Sequence, residues 1–283
     1  MVLYYRKDLF KEFGIKPADV ETWEKFEKTG AKLMKDHGQR FMAIDGTHFD
    51  VLLRQKGHDL FDAKGKVLPK FDEAVDLLTW LGSLGERQIA VLPDRGTIFD
   101  PVFFSGDLET GEVLCVMGAD WYGLDLFQQF APDMKGLWGM LPLPAWTDKK
   151  GKLGPRTATF AGQGLMICKN SPHEKEAWDF IEFVMKDADA NLERYKQGNS
   201  FPAYLPSWKD KRLLAKHEYF DQSMGKLLVE LADEIPPIVV NPKRPQAIFL
   251  MQENYFGAVM FQALTAKDAM NQYLEALTAE DRQ

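Results

Sequence analysis

Over roughly its first 170 residues the chain changes its hydrophobic period repeatedly, and this restricts its fold more than any other feature. Short β-prone apolar runs alternate with apolar stripes at helical spacing. Met1–Tyr5 is followed by a stripe of Trp23, Phe26, Leu33 and Met34, and Phe41–Ile44 by a helical stretch from Phe49 to about Gly57. Phe71, Ala74, Val75, Leu78 and Leu81 form a further stripe ending near Gly82, ahead of strands expected at Glu112–Met117, Gly136–Pro142 and Thr159–Cys168. A run of period 2 buries a sheet face and a stripe of period 3.6 buries a helix face. Their alternation is satisfied by helices laid on a sheet, so the fold class is α/β.

Local signals set the boundaries. Thr22 is placed to cap the first long helix and Gly38 to end it. Lys64-Gly65 marks a small hairpin between Phe61 and Val67. Ser171-Pro-His-Glu174 reads as a capping box with proline in the first turn, opening a helix whose buried face is Ala177, Trp178, Ile181 and Met185. From residue 187 onward the pattern is almost wholly helical, with breaks at 198–206 and 235–245.

Charge and hydropathy remove several functions. The 283 residues carry 42 acidic against 35 basic side chains, a net charge of −7, with no compact basic cluster, which disfavours a nucleic-acid partner. No apolar run approaches the roughly 18 residues that a membrane span needs. The opening apolar residues precede Arg6-Lys7-Asp8, the reverse of a secretory leader. A strand at residue 1 with no polar leader reads as a chain cut from something longer. Cys115 and Cys168, each inside an apolar run, read as two buried free thiols rather than metal ligands.

Catalytic signatures are missing. There is no nucleophile elbow, no H-E-x-x-H, no phosphate-binding loop, and Gly162-Gln-Gly164 lacks the third glycine of a dinucleotide fingerprint. His37, His48, His58, His173 and His217 form no ligand pair and read mostly as surface residues. Neither a cofactor nor a metal is expected. Asp45 and Asp120 each follow an apolar strand, where an α/β sheet opens its ligand crevice. They can be read as acceptors for turn amides or ligand hydroxyls, or as the acid pair of a carbohydrate-active enzyme.

Sugars offer apolar C–H faces and a rim of hydroxyls, which suits aromatic plates flanked by planar polar groups. Met117-Gly-Ala-Asp-Trp-Tyr-Gly123 supplies that mixture at a strand end. Trp121 and Tyr122 can be binding plates or local core, and the segment alone leaves both open.

Several stretches in order resemble the family 1 extracellular solute-binding proteins, the group that includes the maltose-binding protein. They are Met1–Phe10 with Thr22-Trp23-Glu24; Phe104-Ser-Gly106 with Val113–Gly118 and Trp121; Trp138-Gly-Met-Leu-Pro-Leu-Pro144; and Gly162-Gln-Gly164 with Ile167, Lys169-Asn-Ser171 and Glu176–Phe180. The copy departs from the family pattern at Glu21, where proline is common, through the interposed Asp107–Gly111, and at Asp120, inserted before the tryptophan.

The resemblance implies a periplasmic-binding-protein type II-like lobe, a mixed sheet flanked by helices, with a helical carboxy-terminal tail. It implies that residues 1–165 and 209–283 form a second lobe, and that 166–208 belongs against a first lobe largely absent from this chain. The apolar stripe of 166–208 would then be exposed or self-associate. The function implied is the substrate-binding component of an ABC transporter, gripping a sugar or oligosaccharide for membrane permease subunits. The alternatives are a non-sugar solute, or an enzyme working through Asp45 and Asp120. An extracytoplasmic location is implied, with membrane contact only through a lipid anchor or the permease. For the site, the resemblance puts Trp121 first as a stacking plate with Tyr122 beside it, His48 and Phe49 after the second strand, and Gly162, Gln163 and Gly164 at the cleft-crossing strand. Gln252, Glu253 and Tyr255 come from a late helix start, and Asp45 and Asp120 serve as hydroxyl acceptors.

Overall fold

In the computed structural model, which describes residues 1–160, 162–197 and 200–279, the apolar runs assemble into one five-stranded sheet. The strands are β1 (Val2–Arg6), β2 (Arg40–Ala43), β3 (Ala90–Val91), β4 (Val113–Gly118) and β5 (Trp138–Leu141), in the order β3-β2-β4-β1-β5. β3, β2 and β4 are parallel, whereas β1 runs antiparallel to both β4 and β5. The register pairs Val2 with Gly118 and Leu3 with Leu141, so the start of β1 meets the carboxyl ends of β4 and β5 along one edge.

The helices are α1 (Lys7–Glu12), α2 (Trp23–His37), α3 (Thr47–Gln55), α4 (Phe71–Glu86), α5 (Pro101–Phe103), α6 (Phe127–Phe130), α7 (Glu174–Lys186), α8 (Ala188–Lys196), α9 (Met224–Leu231), α10 (Arg244–Leu250), α11 (Gly257–Met260) and α12 (Ala266–Thr278). Two apolar cores lie on the two sheet faces. Leu3, Phe41, Leu114 and Met117 join Trp23, Phe26, Leu77, Leu81 and Tyr273 in one. Val2, Tyr4, Val113 and Val116 join Phe104, Tyr122, Phe127, Trp138 and Phe220 in the other. A sheet covered on both faces fits the near-continuous apolar character of its parallel strands.

The boundary signals act as expected for α2: Thr22 accepts the Lys25 amide at 3.2 Å, and Gly38 takes the left-handed φ of +67° that ends the helix. Thr265 caps α12 in the same way, accepting from the Asp268 amide at 3.1 Å. The 61–67 turn closes through a Phe61–Val67 bridge without extended strands.

Four expectations are corrected. Gly82 does not end a helix, because α4 continues to Glu86. A Cβ at Gly82 would lie 2.8 Å from Val259 Cγ1, and one at Gly85 would lie 3.0 Å from the Met260 carbonyl, so both glycines let α11 approach α4. No strand forms among the described residues of 159–168. Those apolar residues find no ladder partner, and Leu165 and Met166 are 53% and 87% exposed. Cys168 lies on that same segment and is exposed, whereas Cys115 in β4 is buried and its thiol pKa is pushed up by burial. The Ser171 capping box does not form: the Ser171 hydroxyl accepts from the His173 amide at 3.2 Å in a local turn, and the helix starts at Glu174.

The stretch 166–208 divides in two. α7 has no buried residue, and Trp178, Phe180 and Phe183 are 53%, 62% and 57% exposed, so Ala177, Trp178, Ile181 and Met185 do not form a buried face. Beyond it, Leu192 and Tyr195 of α8 are buried in the second core, with Phe201 and Trp208 packed against it.

Candidate functional site

β2, β3 and β4 are parallel, so their carboxyl ends open on one edge, the place where α/β sheets gather ligand-binding loops. Three rings collect there. Trp121, just past β4, lies near-parallel to Phe99 with centroids 5.7 Å apart and planes at 27°. Phe160 meets both, at 5.9 Å from Trp121 and 5.8 Å from Phe99. All three are partly buried. A sugar between two stacked rings needs about 7–8 Å from face to face, twice an ordinary van der Waals contact. Phe99 and Trp121 are too close for that, so they form one continuous wall.

Asp120 precedes Trp121 and is partly buried; its Oδ2 accepts the Phe201 amide at 2.6 Å, and Oδ1 has no hydrogen-bond partner among the described residues. Arg54 is paired with Asp50 at 3.2 Å and Arg95 with Asp100 at 3.1 Å, while the buried amino terminus of Met1 interacts electrostatically with Asp120. A carboxylate beside an aromatic wall favours a neutral, hydroxyl-bearing ligand over an anion.

The other residues singled out from sequence stand elsewhere in relation to this wall. Tyr122 is fully buried in the second core and its hydroxyl donates to the Ile98 carbonyl at 2.8 Å, so its ring is packing and not a plate. Phe49 is 1% exposed and belongs to the first core. His48 is fully buried, and neither ring nitrogen is free. Nδ1 accepts the Asp45 amide at 3.1 Å and Nε2 donates to the Met117 carbonyl at 3.1 Å, the tautomer these partners require. Burial is the largest influence on this imidazole and holds its pKa below the usual value.

Asp45 is also fully buried, with both oxygens engaged. Oδ1 accepts from the Thr47 amide and hydroxyl at the start of α3, and Oδ2 accepts from Thr97 Oγ1 at 3.2 Å and the Ile98 amide at 3.1 Å. It accepts from turn amides and threonine hydroxyls of the fold, which leaves neither oxygen for a ligand hydroxyl. Gln252 sits on a π-helical turn, Met251–Phe256, that joins α10 to α11. Its Oε1 accepts the Thr47 amide at 3.0 Å and its Nε2 donates to the Gly96 carbonyl at 3.1 Å. Glu253 is exposed, and Tyr255 lies edge-on to Tyr273 of α12 at 5.8 Å. Gly162, Gln163 and Gly164 lie in the exposed irregular segment, where a Cβ on either glycine would meet nothing within 4 Å.

Sequence reasoning missed Phe99 and Phe160. Phe99 carried one signal, a lone aromatic in the turn-rich run Pro93–Pro101, while Phe160 was hidden in the apolar stretch read as a strand.

A family profile for bacterial extracellular solute-binding proteins matches residues 1–191. The chain belongs to that family. Among curated relatives of this chain, an arabinooligosaccharide-binding protein of Bacillus subtilis is 28% identical over 279 residues, covering 95% of this chain and 63% of the relative. A lactose-binding protein of Rhizobium radiobacter is 27% identical over 201 residues, covering 66% of this chain and 44% of the relative. The chain thus spans less than two thirds of the length of these relatives.

Two solved structures show the same fold. The maltose-bound MalE3 of T. maritima superposes with a TM-score of 0.71 at 21% identity, over 98% of this chain and 69% of that one. The ABC-transporter-associated binding protein of B. animalis subsp. lactis, in complex with beta-1,6-galactobiose, does so with a TM-score of 0.76 at 16% identity, over 100% and 71%. The periplasmic-binding-protein-like class expected from the sequence, a mixed sheet flanked by helices, is the one observed.

Proposed function

We propose that this chain supplies the sugar-gripping wall of the substrate-binding component of an ABC transporter, capturing a neutral sugar or oligosaccharide reversibly for delivery to permease subunits. The observation that carries this reading is, at the strand-end edge, the partly exposed Phe99–Trp121–Phe160 wall beside Asp120, whose Oδ1 has no hydrogen-bond partner among the described residues. Ring faces suit sugar C–H surfaces and a carboxylate oxygen suits a hydroxyl. Membership of a family of solute binders, with relatives named for arabinooligosaccharides and lactose, supports the same ligand class. The family's description as extracellular supports an extracytoplasmic location. Membrane contact through a lipid anchor or the permease is part of the proposal, and no helix among the described residues is long and apolar enough to cross a membrane.

Hydrolysis by an Asp45–Asp120 pair is disfavoured by geometry. A glycosidase needs two carboxyl groups free to act on the scissile bond, and both Asp45 oxygens are buried and bound within the fold. The same proposal gives the exposed 162–168 segment and the α7 face to a further lobe, as the greater length of the relatives suggests.

Calorimetric titration with arabinotriose, lactose and maltose, with chromatography of the incubated sugars, tests the reading. Saturable heat with unchanged sugar is expected, and Trp121→Ala should weaken binding by about 10-fold to 100-fold, the loss of one well-stacked aromatic contact. Released product would establish an enzyme, and saturable binding of a non-sugar solute alone would redirect the ligand class.

A further inference from the structure

Residues that resemblance places on the ligand instead converge on one short loop. The Gly96–Phe99 segment is held from outside by four hydrogen bonds: Gln252 Nε2 to the Gly96 carbonyl, Thr97 Oγ1 and the Ile98 amide to Asp45 Oδ2, and the Tyr122 hydroxyl to the Ile98 carbonyl. Within the loop the Phe99 amide donates to Thr97 Oγ1 at 3.2 Å, passing the restraint to the ring-bearing residue. Each bond ends within the three residues that precede Phe99, which stacks on Trp121.

We infer that Asp45, Tyr122 and Gln252 are positioning residues that fix Phe99 against Trp121, so the orientation of the sugar wall is set by the turn after β2 and by the π-helical turn before α11. The inference rests on the sugar-binding reading for its functional meaning. The physical basis is independent of any ligand. Asp45 is buried and anchors the α3 start with one oxygen and the loop with the other, so the two move together. Gln252 bridges the same two segments with both ends of its amide. A Cβ at Gly46 would lie 2.6 Å from Gln252 Cα, so helix backbone and turn are already in contact and the bridge spans little freedom. Bonds to a carboxylate are stronger than neutral ones, which suits Asp45 as the fixed point.

The test places 4-fluorophenylalanine at position 99 and follows its ¹⁹F resonance in the otherwise unchanged chain and in Asp45→Asn and Gln252→Met, with Leu33→Ala as a destabilised control remote from the loop. Asparagine keeps the shape but halves the acceptors, and methionine keeps the length while removing both ends of the bridge. A single narrow resonance displaced by the Trp121 ring is expected in the parent and control. In the two clasp variants it should broaden, split or move toward the free amino-acid position, with arabinotriose affinity reduced about fivefold or more in both.

If Asp45→Asn fails to fold, Gln252→Met alone decides, since Gln252 is partly exposed. An unchanged resonance in folded Gln252→Met, or the same change in the control, would overturn the inference. If the parent binds no sugar, the proposed function fails, while the fluorine signal still decides whether the clasp positions Phe99.

Discussion

Asp50 lies between two guanidinium groups inside the protein. Arg54 binds its Oδ2 at 3.2 Å and Arg244 its Oδ1 at 2.5 Å, while Arg244 also reaches Asp59. The Arg54 and Asp50 side chains are 0% and 4% exposed. Removing Asp50 leaves Arg244 its Asp59 partner but strands the buried Arg54 charge, which costs roughly 3–5 kcal/mol. Asp50→Ala should therefore lower stability by about that amount in urea denaturation, and a loss below about 1 kcal/mol would contradict a buried, mutually dependent network. The same reasoning makes His48 a pH probe. Burial holds its folded pKa below 6.5, so on acidification the unfolded chain takes up the proton first. The unfolded state binds more protons between the two values, and stability from this group is present above about pH 6.5 and lost as pH falls toward the folded pKa. His48→Gln should show a shallower fall in unfolding free energy between about pH 7 and about pH 5 than the parent; an equal fall would remove His48 as the cause. The sequence put Asp45 and Tyr122 after apolar strands, and the family resemblance put His48 after the second strand and Gln252 at a late helix start. Neither placed them in depth, because burial depends on which loops fold over a residue and not on its neighbours in the chain.

At the scale of elements, the capped helices and the apolar strands were legible because their signals are local: Thr22 and Gly38 bound α2 in sequence as in structure. β3 escaped because two residues, Ala90–Val91, carry no period. The 159–168 stretch misled because β-propensity describes fitting a half-buried pleated surface, and here no neighbouring strand edge is offered. Its exposed apolar residues continue into α7, where Trp178 and Phe183 stand in solvent. Exposed apolar area of this kind drives association. Sedimentation velocity at rising concentration should show self-association that Trp178→Glu with Phe183→Lys reduces. Because α7 buries no residue, the melting temperature of the pair should change little. Association unaffected by the pair would locate the sticky surface elsewhere.

Across the whole molecule, the sheet order brings three parallel strand ends together, the two cores hold that edge firm, and the aromatic wall projects from it. Local motifs pointed to the edge through Trp121, while Phe99 and Phe160 reach it from segments whose path only the fold determines. Chemical-shift mapping of the isotope-labelled chain during titration with arabinotriose, lactose and maltose, each to millimolar concentration, tests the wall directly and tolerates weak binding. With at least one of these sugars, saturable shifts should centre on the Trp121 indole N–H and on the amides of 97–99, 120–122 and 160, and in Trp121→Ala the remaining amide shifts should need about 10-fold to 100-fold more sugar. Saturable shifts that leave those residues unmoved, or no shift with any of the three sugars, would contradict a sugar wall at this edge.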